Sequence, residues 1–171
     1  TGNIGTALTT ALSAAPEIES IVGAARRVPE RVVPKLRWVS ADVAKDDLVE
    51  LVRGADAVVH LAWRFQPTHR PLVTWDTNVL GTVRLLDAVA TAGVPTLVCS
   101  SSVGAYSPGP KDEPVDERWP THGWPAASYA REKAYVERLL DVFERDHPQT
   151  RVVRLRPGFA FQRAAASEQW R

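Results

Sequence analysis

The sequence predicts an α/β protein built on a doubly wound parallel sheet with helices on both faces. Two observations lead there. Short apolar runs of five or six residues alternate with longer stretches that repeat every three to four residues. Several of these runs are too apolar to leave one face in water, which marks strands buried on both sides. Glycine, proline or charge bounds them, the punctuation that separates parallel strands from crossover helices.

Taken in order, residues 3–15 read as a helix, with Leu8 and Leu12 four apart on one face. Ile21-Val-Gly-Ala-Ala25 and Leu36-Arg-Trp-Val-Ser40 read as short strands. A short helix is expected from Asp46 to Arg53, ended by Gly54. Ala57-Val-Val-His-Leu-Ala62 is a buried strand, and a long helix runs from Trp75 to Ala92 with Gly93 closing it. Pro95 precedes a strand over 96–101. Residues 104–125, rich in proline and glycine and holding Trp119 and Trp124, read as an ordered loop over a site. The second long helix covers Ala127 to Arg145, and Arg151-Val-Val-Arg-Leu-Arg156 is the last strand. Ligands of such sheets lie beyond the carboxyl ends of the strands, where His60 to Ala62, Ser102 and Pro157-Gly158 fall.

Bulk properties exclude several classes. The 171 residues suit one domain with a sizeable core. A net charge of +1 with scattered arginines gives no basic stripe, which argues against nucleic acid. No apolar run approaches the length of a membrane-spanning helix. The single cysteine, Cys99, lies inside an apolar run and reads as a buried, inert thiol, so the cytoplasm is the expected compartment.

The chemistry concentrates in Tyr129-Ala-Arg-Glu-Lys133. A phenol and an ammonium four apart share one helix face. A free phenol is only about 0.1% ionised at pH 7, and a cation within roughly 4–6 Å raises that fraction ten- to a thousandfold. Such a tyrosine can exchange a proton with a substrate hydroxyl or carbonyl. Ser102 closes the run Thr96-Leu-Val-Cys-Ser-Ser-Ser102, where a strand-end hydroxyl could hold the same oxygen. By itself the pair could equally be a surface helix contact. At the other end of the chain, Thr1-Gly-Asn-Ile-Gly5 opens a helix. Glycines there let backbone N–H groups approach a pyrophosphate.

Thr1-Gly-x-x-Gly5, Asp42-Val43, His60-Leu-Ala62, Asn78-Val-Leu-Gly-Thr82, Ser100-Ser-Ser102, Tyr129-x-x-x-Lys133 and Arg156-Pro-Gly158 occur in this order. In them the sequence resembles the extended short-chain dehydrogenase/reductases, the NAD-dependent epimerase/dehydratase group. The resemblance covers nearly the whole chain. It implies a Rossmann-like fold that binds a nicotinamide dinucleotide, with a dinucleotide-binding domain over residues 1–158 and the start of a substrate domain over 159–171. It also implies an oxidoreductase or epimerase/dehydratase acting at a hydroxyl or carbonyl carbon. Tyr129 is then the acid–base, Ser102 orients the reacting C–O group, and Lys133 assists Tyr129 and meets the nicotinamide ribose. Gly2, Asn3, Ile4 and Gly5 would bind the diphosphate. Asp42 and Val43 would flank the adenine, although Asp42 could instead be a turn or cap residue. Leu61 and Ala62, beside His60, would contact the cofactor through the backbone, while His60 itself could be a core residue. Asn78, Pro157 and Gly158 complete the expected cofactor set, with a helix-to-strand hydrogen bond as the other role open to Asn78. No metal is implied.

The family's NAD-preferring members end the second strand in an acid, whereas this chain reads Ala24-Ala25-Arg26-Arg27. A guanidinium suits a 2′-phosphate, so Arg26 favours NADP over NAD. The other reading of Arg26 is a solvated strand end. Homodimerisation through the two long helices is common in the family. The glycine motif begins part-way and the chain has no methionine. The first strand and most of a C-terminal substrate domain are therefore expected to lie outside this sequence. After the last strand the chain reads Arg156-Pro-Gly-Phe-Ala-Phe-Gln-Arg163, without the family's Tyr-Gly-Pro, and Ser107 follows Tyr106 where glycine is usual. Both departures argue against a nucleotide-sugar substrate. Trp63, Phe65, Trp119 and Trp124 could line a less polar pocket or serve as packing and loop anchors. A non-catalytic dinucleotide-binding sensor is the competing function, but sensors of this type commonly lack the Tyr and Lys.

Overall fold

The computed structural model describes residues 2–65, 67 and 69–161. They form two compact units, one of residues 2–42 with 159–161, the other of residues 43–158. Thr1 and residues 162–171, and with them Gln162-Arg163 and most of the expected substrate-domain start, lie outside the described residues.

In the first unit, helix α1 (Asn3–Ala14) starts at Gly2, and strands β1 (Ile21–Ala25) and β2 (Leu36–Ser40) pair in parallel with Ile21 opposite Leu36. Both strands have the limits expected from sequence. Long side chains tie the connections down: Arg31 donates to Thr10 Oγ1 at 2.7 Å and Lys35 Nζ to the carbonyl of Ala15 at 2.8 Å.

The second unit holds a three-stranded parallel sheet in the order β3 (Val58–His60), β4 (Thr96–Ser100), β5 (Arg151–Leu155). Register runs Val58 to Leu97 and Thr96 to Arg151. Around it pack α2 (Val49–Val52), α3 (Pro71–Trp75), α4 (Gly81–Ala92) and α5 (Ser128–Asp146). Each sheet has the neighbours of a doubly wound order. The core gathers Val79, Leu85, Leu86, Val89, Leu97, Val136, Leu140 and Phe143. Full burial of a residue such as Leu140, at 0% exposure, contributes roughly 1.5–3 kcal/mol.

Three elements differ from the sequence reading by more than one residue at an end. The helix expected over 46–53 is confined to Val49–Val52, because the Asp47 carboxylate takes the N–H of Val49 at 2.9 Å and holds the entry as a turn. The strand expected over 57–62 pairs only over Val58–His60. The long helix expected from Trp75 starts earlier, at Pro71, a residue pre-shaped for the first helical position. It continues through a π-helical turn, Asp76–Leu80, into α4, and Gly93 closes it with φ 67°. A π turn inserts a residue without altering the apolar rhythm enough to be read. Such turns recur at functional sites, and this one carries Asn78.

The loop over 104–125 is ordered by its own hydrogen bonds. Ser107 N–H donates to the Pro120 carbonyl, Trp119 Nε1 to the Ser107 carbonyl, and Gly123 N–H to the Ala105 carbonyl. Trp119 is thus a loop anchor. Gly123 is required where it stands: its φ is 68°, and a Cβ would lie 2.5 Å from the Ala130 carbonyl in the first turn of α5. Among the described residues no helix is long and apolar enough to cross a membrane.

Candidate active site

Helix α5 explains why a site forms in the second unit. Its inner face carries Ala130, Ala134, Val136, Leu140 and Phe143, and also Glu132, Lys133 and Glu137, all buried. Charged residues rarely occupy such positions unless each is paired. Each has a partner here, and those partners define the site.

Lys133, 3% exposed, donates from Nζ to the Ser100 carbonyl at 2.7 Å, at the end of β4. Its ammonium lies 3.5 Å from the centroid of the Trp63 indole, a cation–π contact, and 5.9 Å from the centroid of the Tyr129 ring. Burial lowers the Lys133 pKa to about 8, against the opposing influence of Cys99, Glu137 and Glu132. Tyr129 stacks on Phe65 at 4.9 Å and 12°, and meets Trp63 edge-on at 5.7 Å. Phe65 is 63% exposed despite that stack.

Ser102 lies just beyond β4 and caps a 3-10 turn, Val103–Ala105, its Oγ accepting from the N–H of Gly104 at 3.0 Å. Because Oγ is the acceptor in that bond, its own O–H remains able to donate. Gly104 locates Ser102 relative to Tyr129. A Cβ on it would stand 3.2 Å from Tyr129 Cε1 and 3.4 Å from Ser102 Oγ. The two side chains therefore border one small volume, which a larger residue at 104 would crowd. Ser102 and Tyr129 thus lie side by side across Gly104, with the Lys133 ammonium 5.9 Å from the centroid of the Tyr129 ring.

Two buried networks hold this cluster. In the first, Glu137 at 0% exposure accepts from Ser101 Oγ at 2.5 Å and from Arg156 Nε and Nη2 at 2.8 and 2.9 Å. Burial pushes the Glu137 carboxyl up, but the hydrogen bonds from Arg156 and Ser101 and the charges of Arg156 and Arg154 outweigh it, leaving the pKa below the usual carboxylate value. Arg156 reaches on to Tyr106 Oη and the Glu117 carbonyl. Nearby, the Pro157 carbonyl accepts from the N–H of Val103 at 3.1 Å.

In the second network, Asn78 at 0% exposure spends both amide hydrogens on protein, one on the Arg64 carbonyl at 2.9 Å and one on Glu132 Oε2 at 2.6 Å. Its Oδ1 accepts from Arg64 N–H at 2.7 Å. Of its two sequence-derived roles, the tie between a helix and the chain leaving a strand is the one these bonds describe. Glu132 also accepts from Thr74 Oγ1 at 2.6 Å. Sequence reasoning missed Thr74, Glu132 and Glu137. An acid on a helix reads as solvent-facing, and only its place beside or one turn after Lys133 could have drawn notice.

A family model for the NAD dependent epimerase/dehydratase family matches residues 1–161. The chain belongs to that family. Over 103 residues it is 37% identical to a UDP-glucose 4-epimerase of Yersinia pestis, which is 58% of this chain and 30% of the relative. A putative UDP-glucose 4-epimerase of Methanocaldococcus jannaschii is 30% identical over 117 residues, 66% of this chain and 38% of the relative. Among solved structures, a short-chain dehydrogenase/reductase superfamily protein from Agrobacterium tumefaciens with bound NAD superposes with a TM-score of 0.76 at 28% identity. That match covers 91% of this chain and 46% of the other. Each match thus spans less than half of the relative's own length.

The remaining expected residues of this family member fall as follows. Gly2 to Gly5 open α1, and Arg26 is exposed just past β1. Asp42 ends the first stretch of the first unit, and Val43 begins the second unit. Leu61 and Ala62 follow β3, while Pro157 and Gly158 follow β5. Cys99 is buried, and burial raises its thiol to about 11.

His60 is buried at the end of β3, with Nε2 2.9 Å from Thr82 Oγ1. Thr82 commits its hydroxyl hydrogen to the Asn78 carbonyl at 2.6 Å, so it accepts from a protonated Nε2. Burial first, then the Lys133 charge, lowers the His60 pKa to about 4 from 6.5. Between those values the unfolded chain binds more protons than the folded one. Stability is therefore full above 6.5 and declines as pH falls toward 4, by about 3 kcal/mol from this group. Urea unfolding at neutral pH and near pH 4.5 checks this. The His60→Gln variant, which keeps an amide donor for Thr82, should lose less stability over that interval. Equal losses would refute the assignment.

Proposed function

We propose that this chain carries the dinucleotide-binding and proton-transfer machinery of an NAD(P)-dependent oxidoreductase or epimerase/dehydratase acting at a hydroxyl or carbonyl carbon. The observation that carries the proposal is the packing of Ser102 Oγ and the Tyr129 ring about Gly104, with the Lys133 ammonium 5.9 Å from that ring. Tyr129 gives a proton to the substrate oxygen or takes one from it. Ser102, whose Oγ already accepts from Gly104, donates to the same oxygen and orients it. The Lys133 charge is close enough to act on that transfer. Trp63 and Phe65 pack against the Tyr129 ring and fix its orientation.

The start of α1 supports a pyrophosphate site. Gly2 provides no side-chain cap, the first turn holds no acid, and no described residue other than its chain neighbours stands within 4 Å of where a Gly2 Cβ would be. Gly2, Asn3, Ile4 and Gly5 would hold the phosphates there. When bound, the nicotinamide supplies a hydride acceptor or donor for the substrate carbon. Arg26, exposed just past the end of β1 between Ala25 and Arg27, supports NADP(H) as the form used. NAD(H) is the alternative, supported by the Agrobacterium tumefaciens relative, which is described with bound NAD. The relatives named UDP-glucose 4-epimerase support a nucleotide-sugar substrate. The aromatic wall at Tyr129 supports a less polar one. Cytoplasmic location and homodimerisation through the long helices complete the reading.

The test is a titration of the intact enzyme with NADPH and NADH, followed by turnover on UDP-sugars and on a panel of small carbonyl compounds. NADPH is expected to bind more tightly, with Arg26→Ala removing the preference. Tighter NADH binding would defeat the Arg26 argument, and failure to bind either dinucleotide would defeat the proposal.

A further inference from the structure

Glu132 lies between Arg131 and Lys133 on α5, yet it is 5% exposed and its carboxylate turns to Thr74 and Asn78 rather than to Ser102 or Tyr129. A carboxylate brought that far out of water carries a desolvation cost that only hydrogen bonds offset. Its two oxygens are both used: Oε1 by Thr74 Oγ1 and Oε2 by Asn78 Nδ2, each at 2.6 Å. The second bond fixes which way the Asn78 amide faces. With Nδ2 turned toward Glu132 and the Arg64 carbonyl, Oδ1 is left to receive the Arg64 N–H. One amide thus grips both backbone groups of Arg64, a two-point clamp on chain that is in neither helix nor strand.

Arg64 is flanked by the two aromatic residues at the site. Trp63 lies over Lys133 at 3.5 Å, and Phe65 stacks on Tyr129 at 4.9 Å. The contacts therefore close a ring that leaves α5 at Glu132, passes through Asn78 and Arg64, and returns to α5 at Tyr129 and Lys133. We propose that Glu132 is a positioning residue: through Asn78 it clamps Arg64 and so keeps Trp63 and Phe65 seated on Lys133 and Tyr129. The clamp stands on geometry alone. Its catalytic consequence rests on the proposed role of Tyr129 and Lys133.

Glu132→Leu tests the clamp. The substitution keeps much of the side-chain volume and removes the acceptor of Asn78 Nδ2. A glutamine could instead turn its oxygen to Asn78 and donate to Thr74 Oγ1, whose hydrogen has the Pro71 carbonyl at 3.0 Å as a second acceptor. The readout is acylation of lysine amines by a small reagent, mapped by peptide mass spectrometry, well above the Lys133 value of about 8. At such pH the amine is neutral and the rate reports access. Lys35, Lys45 and Lys111 serve as internal references. Alkylation of Cys99, buried in β4, reports whether the fold has opened. In Glu132→Leu the Lys133 rate is expected to rise about tenfold or more with Cys99 still protected, because local opening of the segment then costs less than global unfolding. Trp63→Ala should produce the same rise, and combining the two should add little, since both act on one contact. An unchanged Lys133 rate would overturn the proposal. So would a rise matched at Cys99, which would make Glu132 a residue of general stability. None of these readouts requires turnover, so failure of the clamp and failure of the proposed reaction are told apart.

Discussion

Replacing Tyr129 by phenylalanine is expected to lower turnover by about 10²-fold or more while leaving dinucleotide affinity and folding near those of the parent. The expectation follows from what the substitution keeps. A phenylalanine ring retains the 12° stack on Phe65, the edge contact with Trp63 and the neighbourhood of Gly104. Only the hydroxyl is lost, and with it the group that would exchange a proton with the substrate. General acid–base catalysis contributes roughly 10²–10⁴-fold, so a loss in that range with an unchanged substrate KM identifies a group used in the transition state. Lys133→Met would lower turnover too, but it also removes a cation from the Trp63 face and from the Ser100 carbonyl. Its effect cannot be ascribed to proton transfer alone. Near-normal turnover in Tyr129→Phe would remove Tyr129 from the reaction and leave the Ser102–Tyr129–Lys133 cluster as packing.

How much of this was legible in the sequence depends on which forces leave a linear trace. Strands β1 and β2 have the limits expected, because an apolar run broken by arginines or prolines ends where burial ends. Gly93 closed its helix as read, since a left-handed cap demands a residue without a Cβ. Ser102, Tyr129 and Lys133 could be picked out because the chemistry fixes their types and a helix fixes the spacing of the last two. The supports of that cluster left no such trace. Thr74 and Glu132 are 58 residues apart and Asn78 and Glu132 are 54 apart, and nothing local distinguishes Glu132 from the exposed acids of α5. Arg156 was visible as part of a motif, but its partner Glu137 was not. The pairing depends on the β4–β5 register and on which face of α5 meets the sheet. The π turn at Asp76–Leu80 was hidden for a related reason. It shifts the phase of a helix by one residue, and its purpose shows only when Asn78 is seen gripping Arg64.

Glu137→Ala is expected to be the most destabilising single change near the site, by about 3–5 kcal/mol, the cost of removing one partner from a buried ion pair. Glu137 is 0% exposed, and the Arg156 and Arg154 side chains facing it are each only 16% exposed. Its removal leaves the Arg156 guanidinium without the carboxylate it grips at two points and Ser101 without its acceptor. Arg154 would retain Asp141 and Glu144, so the penalty falls mainly on Arg156 and on what it holds. That includes Tyr106 and the Glu117 carbonyl of the loop. Its chain neighbour Pro157 anchors Val103, the residue after Ser102. Glu137→Gln should cost less, because an amide oxygen can still accept one of the Arg156 bonds. Glu50→Ala, which breaks an exposed pair with Arg53, should not measurably move the unfolding midpoint. Urea denaturation of the three variants beside the parent decides the matter. If Glu137→Ala unfolds at the parent's midpoint, the link from β5 through α5 to Ser101 does not carry the stability assigned to it.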